Sequence, residues 1–384
     1  MPENAQSRRD ASGSPAGKDP TVTVLLSVYN GAPYVRSAVA SILNQTFADF
    51  EFLIIDDGST DGTRVVLDTF ADPRIRRLVH PTNRGLTASL NEGLALARGR
   101  YIARQDADDL SQPDRLARQV AFLESHPEVS VVGAQARLID PQGRPIRTRM
   151  LTQPLSDVGV RFKLMFDGPL IHSAVMFRRK TVYDGAGGYD AAWPTNQDYE
   201  LWSRLAQEGC VMVNLPDVLL DHRHHVHRVS ARYTLEAAQR VRRRMQSNVQ
   251  ILCQCDDDLA DWLDFWAAVL FAKVLPPPSR SGPALEALDR IHRRFTQLHP
   301  EPEARGEIRW QTACTLMTAF HGCIRTRPAM ALRCLARALR IHPAATLSIT
   351  WDSTLRHLAR LVPRRSASAD SLAPPAVPSS EPRA

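Results

Sequence analysis

The stretch Phe50-Glu51-Phe52-Leu53-Ile54-Ile55-Asp56-Asp57-Gly58-Ser59-Thr60-Asp61 runs from a mostly apolar segment directly into a polar turn. Its first half is typical of a short strand buried on both faces. Ligands of open α/β sheets bind outside the carboxyl ends of the strands, which makes Asp56 and Asp57 candidate binding residues. The same aspartates also suit a turn that caps the following helix, and the stretch alone leaves both interpretations open.

Strand and helix patterns alternate on either side of this stretch. They predict strands at 22–28, 50–55, 75–79 and 99–103, and helices at 34–45, 61–70 and 85–98. This alternation predicts a layered α/β domain. From about residue 234 the strand patterns give way to helical segments separated by prolines. We therefore expect an α/β domain over 21–232, an all-helical extension over 233–362, and disordered tails at 1–20 and 363–384.

The composition is that of a soluble globular protein rather than a membrane-spanning one. Apolar residues make up 43% of the 384 residues and charged residues 23%. No apolar stretch reaches the roughly 18–20 residues that are needed to cross a bilayer, and the polar N-terminus does not resemble a signal peptide. The six cysteines form no Cys-x-x-Cys pair, so neither a zinc site nor a disulfide framework is indicated. We expect a cytoplasmic protein.

A second acidic group, Asp106-Ala107-Asp108-Asp109, follows the strand predicted at 99–103. Three carboxylates within four residues repel one another unless a cation neutralises them. If the segment is extended, Asp106 and Asp108 point the same way. Two such oxygens suit Mg²⁺ or Mn²⁺ with open positions for phosphate oxygens. The alternative is a solvated loop in which Asp109 caps the next helix.

Two further segments carry candidate residues. Asp198 opens an amphipathic helix, where an aspartate is either a cap or a general base on a rigid element. Histidines crowd the segment from His222 to His227, together with Arg223. Their spacing fits no structural zinc pattern, so the functional interpretation pairs Arg223 or His225 with phosphate charge. Solvated imidazoles in a loop are the alternative.

The excess positive charge lies at the end of the chain. The net charge is +7, and residues 321–384 carry ten arginines and three acids, which accounts for all of it. A nucleic-acid-binding protein more often spreads basic residues around a cleft, so we expect no nucleic-acid partner. In 331–341 the arginines alternate with Leu332, Leu335 and Leu339, and a similar pattern recurs at 355–362. Such helices either contact an anionic membrane or pack the extension together.

Taken in order, these motifs resemble the family 2 glycosyltransferases, which have the GT-A fold, a Rossmann-like nucleotide-diphospho-sugar transferase domain. The matching segments, over about residues 21–232, are Ser27-Val28-Tyr29-Asn30, residues 41–46, residues 52–61, Asn83-Arg84-Gly85, Gly99-Arg100-Tyr101-Ile102, Asp106-Ala107-Asp108-Asp109, and Pro113, Arg115, Leu116 and Gln119. The resemblance implies a metal-dependent, inverting transfer of a sugar from a nucleotide donor to a glycan or lipid-linked acceptor, as in bacterial cell-surface polysaccharide synthesis.

The resemblance also implies a role for each matching residue. Asp57, supported by Asp56, would contact the nucleotide base, and Asp106 would contact the donor ribose or the metal. Asp108 would ligate the divalent cation, Mn²⁺ or Mg²⁺, that bridges to the donor diphosphate. Asp198 would be the catalytic base, although Gln197 stands where the family usually has a glutamate. Arg223, His225 and Ser230 resemble a late Arg-x-His motif near the diphosphate.

Other functional classes fit the sequence less well. A sugar-nucleotide nucleotidyltransferase would carry a glycine-rich phosphate loop near the N-terminus, where Ser27-Val28-Tyr29-Asn30-Gly31 stands instead. A dehydrogenase would carry Gly-x-Gly-x-x-Gly. A catalytically degenerate carbohydrate-binding module is the non-enzymatic alternative, and the aspartates at 57, 106, 108 and 198 argue against it.

Overall fold

The computed structural model describes residues 19–225, 235–254, 265–266, 281–324 and 327–347. Several predicted features therefore lie outside the described residues. They are almost all of the two predicted tails, the expected domain boundary near residue 232, Ser230, and the Leu/Arg pattern at 355–362.

The described chain is an α/β unit followed by helices. Its strands are β1 (Val22–Val28), β2 (Phe50–Asp56), β3 (Ile75–Val79), β4 (Tyr101–Asp106), β5 (Leu110–Ser111), β6 (Val129–Ile139), β7 (Pro145–Leu151), β8 (Met176–Arg178) and β9 (Val211–Arg223). Its α-helices are α1 (Val35–Leu43), α2 (Thr63–Asp68), α3 (Leu86–Leu96), α4 (Arg115–Ser125), α5 (Asp157–Leu164), α6 (Gln197–Gln207), α7 (Leu235–Leu252), α8 (Ser281–Leu298), α9 (Pro302–Cys323) and α10 (Pro328–Ile341). A 3₁₀ turn (His172–Ala174) precedes β8, and a π-helix (Lys180–Gly185) follows it.

One mixed sheet holds the nine described strands together. Along the sheet the order is β3-β2-β1-β4-β8-β6-β9-β5, and β7 pairs with β6. The first four are parallel, and every residue of β1 and β2 is buried, as expected for strands covered on both faces. β8 is antiparallel to β4 and to β6. A parallel, Rossmann-like half of the sheet and a helical C-terminal region agree with the GT-A fold that the sequence predicts.

The strand order places a crevice beside the carboxyl ends of β1 and β4. From β1 the chain first moves outward through β2 and β3, and then returns to add β4 on the other side of β1. This reversal is the position at which open α/β sheets bind their ligands. Val28 pairs with Asp56 and Ser27 with Asp106, so both predicted acidic turns begin at this edge.

The helical region packs directly on the α/β unit. Apolar side chains of α8 and α9 belong to the same core as α5 and α6, and the rings of Phe162 and Phe295 lie 5.4 Å apart. Glu307 of α9 accepts hydrogen bonds from the backbone N–H groups of Leu155 (2.7 Å) and Ser156 (3.2 Å). Among the described helices, none is both long enough and apolar enough to cross a bilayer.

The face that α10 buries is formed by small and flexible side chains: Met330, Ala331, Cys334 and Ala338. Leu335 packs only partly against the core, whereas Leu332 and Leu339 are 63% and 38% exposed. Packing therefore does not account for all three leucines of the pattern that the sequence presents at 331–341.

Candidate active site

The acidic cluster lies in the turn that follows β4. Asp106 ends the strand, and residues 107–108 form a turn rather than the extended segment that the sequence argument assumed. The turn nevertheless gathers the charges, because one carboxylate oxygen from each of Asp106, Asp108 and Asp109 lies within 4.8 Å of the others. The three aspartates therefore form one group of oxygen ligands, although each has a different set of neighbours.

Asp109 anchors the cluster to the rest of the sheet. Its side chain is fully buried and accepts hydrogen bonds from the Ser173 hydroxyl, from Nδ1 of His222 (2.8 Å) and from the backbone N–H of Arg223 (2.8 Å). These three hydrogen bonds fix the position of the Asp109 side chain. We therefore assign Asp109 to joining the cluster with β9 and with the turn before β8.

Asp106 is paired with a buried cation. Nη2 of Arg104 donates to Oδ1 of Asp106 at 2.5 Å, and the Arg104 side chain is only 1% exposed. The same guanidinium also donates to the carbonyl oxygen of Leu25 in β1 at 3.2 Å. Arg104 thus places a compensating positive charge beside the three carboxylates. The sequence offered one signal for this residue, a charged side chain within a buried strand.

Asp108 faces the end of β9. Its Oδ2 lies 2.8 Å from Nε2 of His225, and its backbone carbonyl accepts a hydrogen bond from Nε of Arg223 at 2.7 Å. Tyr34 lies against both residues, with its ring centroid 5.0 Å from that of His225 and 4.9 Å from the Arg223 guanidinium carbon. The late Arg-x-His segment therefore lies directly against the acidic cluster.

The electrostatics of the cluster fit a divalent cation. Burial raises the pKa of the Asp108 carboxyl, and the negative charges of Asp109 and Asp106 raise it further. Nδ1 of His225 is buried and has no hydrogen-bond partner among the described residues. A hard cation would offset the repulsion that raises the pKa of Asp108, and carboxylate oxygens suit Mg²⁺ or Mn²⁺.

Asp57 organises the loop between β3 and α3. Its carboxylate accepts hydrogen bonds from the backbone N–H groups of Arg84 and Gly85, both at 2.9 Å, and lies 2.7 Å from Nδ1 of His80. Gly58 follows at φ +74°, and a Cβ there would lie 2.5 Å from the carbonyl carbon of Thr82. Glycine is therefore needed for the close approach of this turn to the loop.

Asp56 stabilises the turn that follows β2. Its Oδ1 accepts a hydrogen bond from the backbone N–H of Ser59 at 2.9 Å, and the residue is 2% exposed. Asn30, in the turn after β1, accepts a bond from the N–H of Thr60 at 2.8 Å. The loops after the first three strands are thus tied together around the two aspartates at the binding edge of the sheet.

Asp198 lies in the first turn of α6, as the sequence predicts. The helix begins after Asn196, which has a left-handed backbone with φ 57°. Burial raises the pKa of the Asp198 carboxyl, and the negative charge of Asp106 raises it as well, against a smaller opposing effect of the Arg104 guanidinium. The carboxylate is therefore within electrostatic reach of the acidic cluster. A raised pKa is a property of many general bases.

Sequence reasoning missed a hydrogen-bonded, partly buried pair, His172 and Tyr189. Nε2 of His172 lies 2.8 Å from the hydroxyl of Tyr189, and the His172 ring meets the Trp202 ring edge-on at 6.3 Å. Burial lowers the pKa of His172 to about 3, and the positive charge of Arg104 lowers it further. The imidazole is therefore neutral at physiological pH. No spacing rule links residues 172 and 189, so only the fold reveals the pair.

Comparisons with known proteins agree with this geometry. A family model described as "Glycosyl transferase family 2" matches residues 23–185, a range that ends just after the π-helix. It includes the acidic turns after β2 and β4, but not Asp198, Arg223 or His225.

Curated relatives are glycosyltransferases by description. EpsE of Bacillus subtilis (strain 168) is 37% identical over 205 residues, which are 52% of this chain and 72% of EpsE. The amylovoran biosynthesis glycosyltransferase AmsE of Erwinia amylovora is 31% identical over 202 residues, which are 52% of this chain and 74% of AmsE. Both relatives are described as glycosyltransferases, and the chain covers more than two thirds of each.

A solved structure shows the same fold over most of the chain. The crystal structure of S. aureus TarS 1–349 in complex with UDP-GlcNAc aligns with a TM-score of 0.50 and 16% identity. The alignment covers 89% of this chain and 92% of TarS 1–349. It therefore includes helices beyond the α/β unit.

Proposed function

The chain belongs to glycosyltransferase family 2, and we propose that it is a metal-dependent, inverting enzyme that transfers a sugar from a nucleotide-diphosphate sugar. The acceptor is a hydroxyl group of a glycan or of a lipid-linked glycan in bacterial cell-surface polysaccharide synthesis. One observation carries the proposal: the carboxylates of Asp106 and Asp108 lie together at the binding edge between β1 and β4. AmsE, a relative, is described as an amylovoran biosynthesis glycosyltransferase, which supports the class of product.

Asp106 and Asp108 are the residues that would hold the divalent cation, Mn²⁺ or Mg²⁺. When bound, such a cation neutralises charge that develops on the departing diphosphate. Arg223 and His225 are proposed to lie beside that diphosphate. The contacts of both with Asp108 keep them at the cluster, at 2.7 Å to its carbonyl oxygen and 2.8 Å to its carboxylate.

Asp198 is proposed as the general base. It would take the proton of the acceptor hydroxyl while that oxygen attacks the anomeric carbon from the face opposite the leaving group. The displacement is single, so the configuration of the anomeric carbon inverts. The first turn of α6 positions the carboxylate, and its raised pKa makes it a stronger base than an ordinary aspartate.

Asp56 and Asp57 are proposed to form the part of the site that receives the nucleotide base. Asp57 supports this role through the loop at Arg84 and Gly85, which it holds by two backbone hydrogen bonds. Both aspartates lie at the end of β2, next to the strand pair that carries the metal ligands.

A panel of nucleotide sugars tests the proposal. Each is added with Mn²⁺, and the shift in the thermal unfolding midpoint is measured, because a ligand that binds only the folded state stabilises it. The donor that stabilises most is then supplied with glycan acceptors, and NMR gives the anomeric configuration of the product. An inverted product supports the mechanism, whereas retention of configuration excludes a single displacement.

We also propose that the enzyme is cytoplasmic and touches the inner face of the cell membrane through α10. On α10, Leu332 and Leu339 are exposed at 63% and 38%, and Arg333 and Arg340 are exposed as well. Leu347, which follows α10 in the chain, is exposed at 63%. Basic amphipathic helices bind anionic lipid surfaces. Flotation with anionic liposomes, with and without residues 321–384, tests this contact. Equal flotation of the two proteins would exclude it.

A further inference from the structure

A cavity outside the acidic cluster is lined by arginines. It has a volume of about 330 Å³, and its described lining consists of Ala192, Trp193, Arg240, Arg243, Arg244 and Ser247. Three of these six residues are cationic and none is acidic. The first two belong to the loop that leads into α6, the helix that carries Asp198, and the other four belong to α7.

The arginines line the cavity because of their helical spacing. Positions 240, 243, 244 and 247 fall on one face of α7. The face that α7 buries instead carries Val241, Met245, Asn248 and Val249, each at most 1% exposed. The cationic face is therefore the one that the core buries less completely, and it meets the loop at Trp193.

Among the three arginines of the cavity, Arg244 is held in place by contacts with Glu200 and Trp193. Its Nη2 donates to Oε1 of Glu200 at 2.8 Å, and its guanidinium carbon lies 5.8 Å from the centroid of the Trp193 ring. Glu200 is 1% exposed and also pairs with Arg204 at 3.0 Å. Arg244 therefore ties α7 to α6, and it holds the indole ring against the cavity.

Arg240 and Arg243 retain hydrogen-bonding capacity. Arg240 pairs through Nη1 with the exposed Glu236 at 2.6 Å, but its Nε is buried and has no partner among the described residues. Arg243 is exposed and has no carboxylate partner within the part of the chain that the structure describes. Guanidinium groups bind phosphate in a planar, bidentate manner, which makes adjacent arginines a suitable phosphate site.

We propose that this cavity binds a phosphate or diphosphate group carried by the acceptor. The inference rests on the proposed function, because it places the acceptor on the side of the site from which Asp198 would act. The loop at residues 192–193 connects the cavity to α6, so a bound acceptor phosphate lies against the element that precedes the base. Trp193 adds an apolar surface for the part of the acceptor next to the phosphate.

Isothermal titration calorimetry with inorganic pyrophosphate tests the site. The whole protein is titrated in EDTA, since metal removal keeps the acidic cluster from binding the anion through a cation. The variants are R240Q/R243Q and, as the matched control, R242Q on the same helix outside the cavity lining. The double variant loses two charged hydrogen-bond donors and is therefore expected to bind pyrophosphate at least about tenfold more weakly.

The outcomes separate this inference from the proposed function. Binding that is kept by R242Q and lost in R240Q/R243Q supports the site, whereas equal binding in all three proteins, or none in the wild type, overturns it. Cleavage of the nucleotide sugar with Mn²⁺ is measured in parallel and is expected to be unchanged in R240Q/R243Q. Absence of cleavage by the wild type would count against the proposed function alone.

Two further ligands distinguish the source of the phosphate. Geranyl diphosphate stands for a lipid-linked acceptor, and glucose 6-phosphate stands for a phosphorylated glycan. Tighter binding of the first, sensitive to R240Q/R243Q, assigns the site to a lipid carrier. Tighter binding of the second, with the same sensitivity, assigns it to a phosphate on the glycan.

Discussion

Nε2 of His225 lies 2.8 Å from Oδ2 of Asp108, although 117 positions separate the two residues. The pairing joins the end of β9 to the turn after β4. It also brings the late Arg-x-His segment to the carboxylate that we propose as the main metal ligand. The contact has direct consequences for the stability of the protein with and without a cation.

We expect Asp108→Asn to remove the response of stability to Mn²⁺. The folded state raises the pKa of Asp108, so ionising this group opposes folding as the pH rises above its ordinary value, and stability is greater at lower pH. The amide removes that cost, and the variant unfolds at a higher temperature than the wild type in EDTA. The wild type gains about 2.7 kcal/mol when the cation is present at 100 times its dissociation constant, and the variant does not.

Thermal unfolding at neutral pH, in EDTA and in Mn²⁺, measures both effects. Asp68→Asn is the control, because Asp68 is an exposed carboxylate on α2 far along the chain from the cluster. An equal Mn²⁺ shift in Asp108→Asn and in the wild type would remove Asp108 from the metal site.

We expect Asp198→Asn to lower kcat by about 10²–10⁴-fold, the usual contribution of general base catalysis. The amide keeps the shape of the side chain but cannot take a proton, so donor binding remains as in the wild type. Steady-state kinetics and calorimetry with the donor measure the two quantities. Glu208→Gln, at the exposed end of the same helix, is the control. Near-wild-type turnover in Asp198→Asn would rule out its role as base.

We expect kcat to fall on the acid side at a pH above the ordinary pKa of an aspartate. A base acts in its ionised form, and burial raises the pKa of Asp198. Activity is therefore present above that raised pKa and disappears as the pH falls through it. The rate is measured against pH with donor, acceptor and metal saturating. An acid limb at or below about pH 3.9 would contradict the assignment.

We expect Asp57→Asn to lower the free energy of unfolding by about 1–3 kcal/mol, because a buried donor loses its acceptor. The carboxylate accepts two backbone N–H groups, from Arg84 and Gly85, through different oxygens. An amide nitrogen cannot replace the second oxygen. Chemical denaturation measures the change. Asp56→Asn is the control, since Asp56 has one backbone donor, Ser59, that the remaining carbonyl oxygen still accepts. Equal losses in both variants would contradict this account of the loop.

Local chemistry explains why the first half of the fold was predictable. The strands at β1 and β2 are short apolar runs that end in turn-forming residues, and such signals require no knowledge of distant segments. The pairing of β6 with β8 and β9 is different, because it joins segments far apart in sequence. The two-residue strand β5 has no periodicity of its own, and only its partner β9 defines it.

The same distinction, between local sequence patterns and contacts of distant segments, applies to the candidate active site. Asp106, Asp108 and Asp198 follow recognisable local patterns, and the carboxylates of Asp106 and Asp108 lie together in the structure. The anchoring of Asp109 by Ser173 and the pair of His172 with Tyr189 depend on contacts across the fold. For the same reason the sequence could not show that the segment after Asp106 turns instead of extending.

Release of the nucleoside diphosphate from a nucleotide sugar is the most direct test of the central claim. It is measured with the donor that best stabilises the protein, in Mn²⁺ and in EDTA, for the wild type and for Asp108→Ala. Release by the wild type in Mn²⁺, with loss in EDTA and in folded Asp108→Ala, is the expected result. Undiminished release in EDTA or by Asp108→Ala would contradict a metal-dependent transferase centred on the acidic cluster.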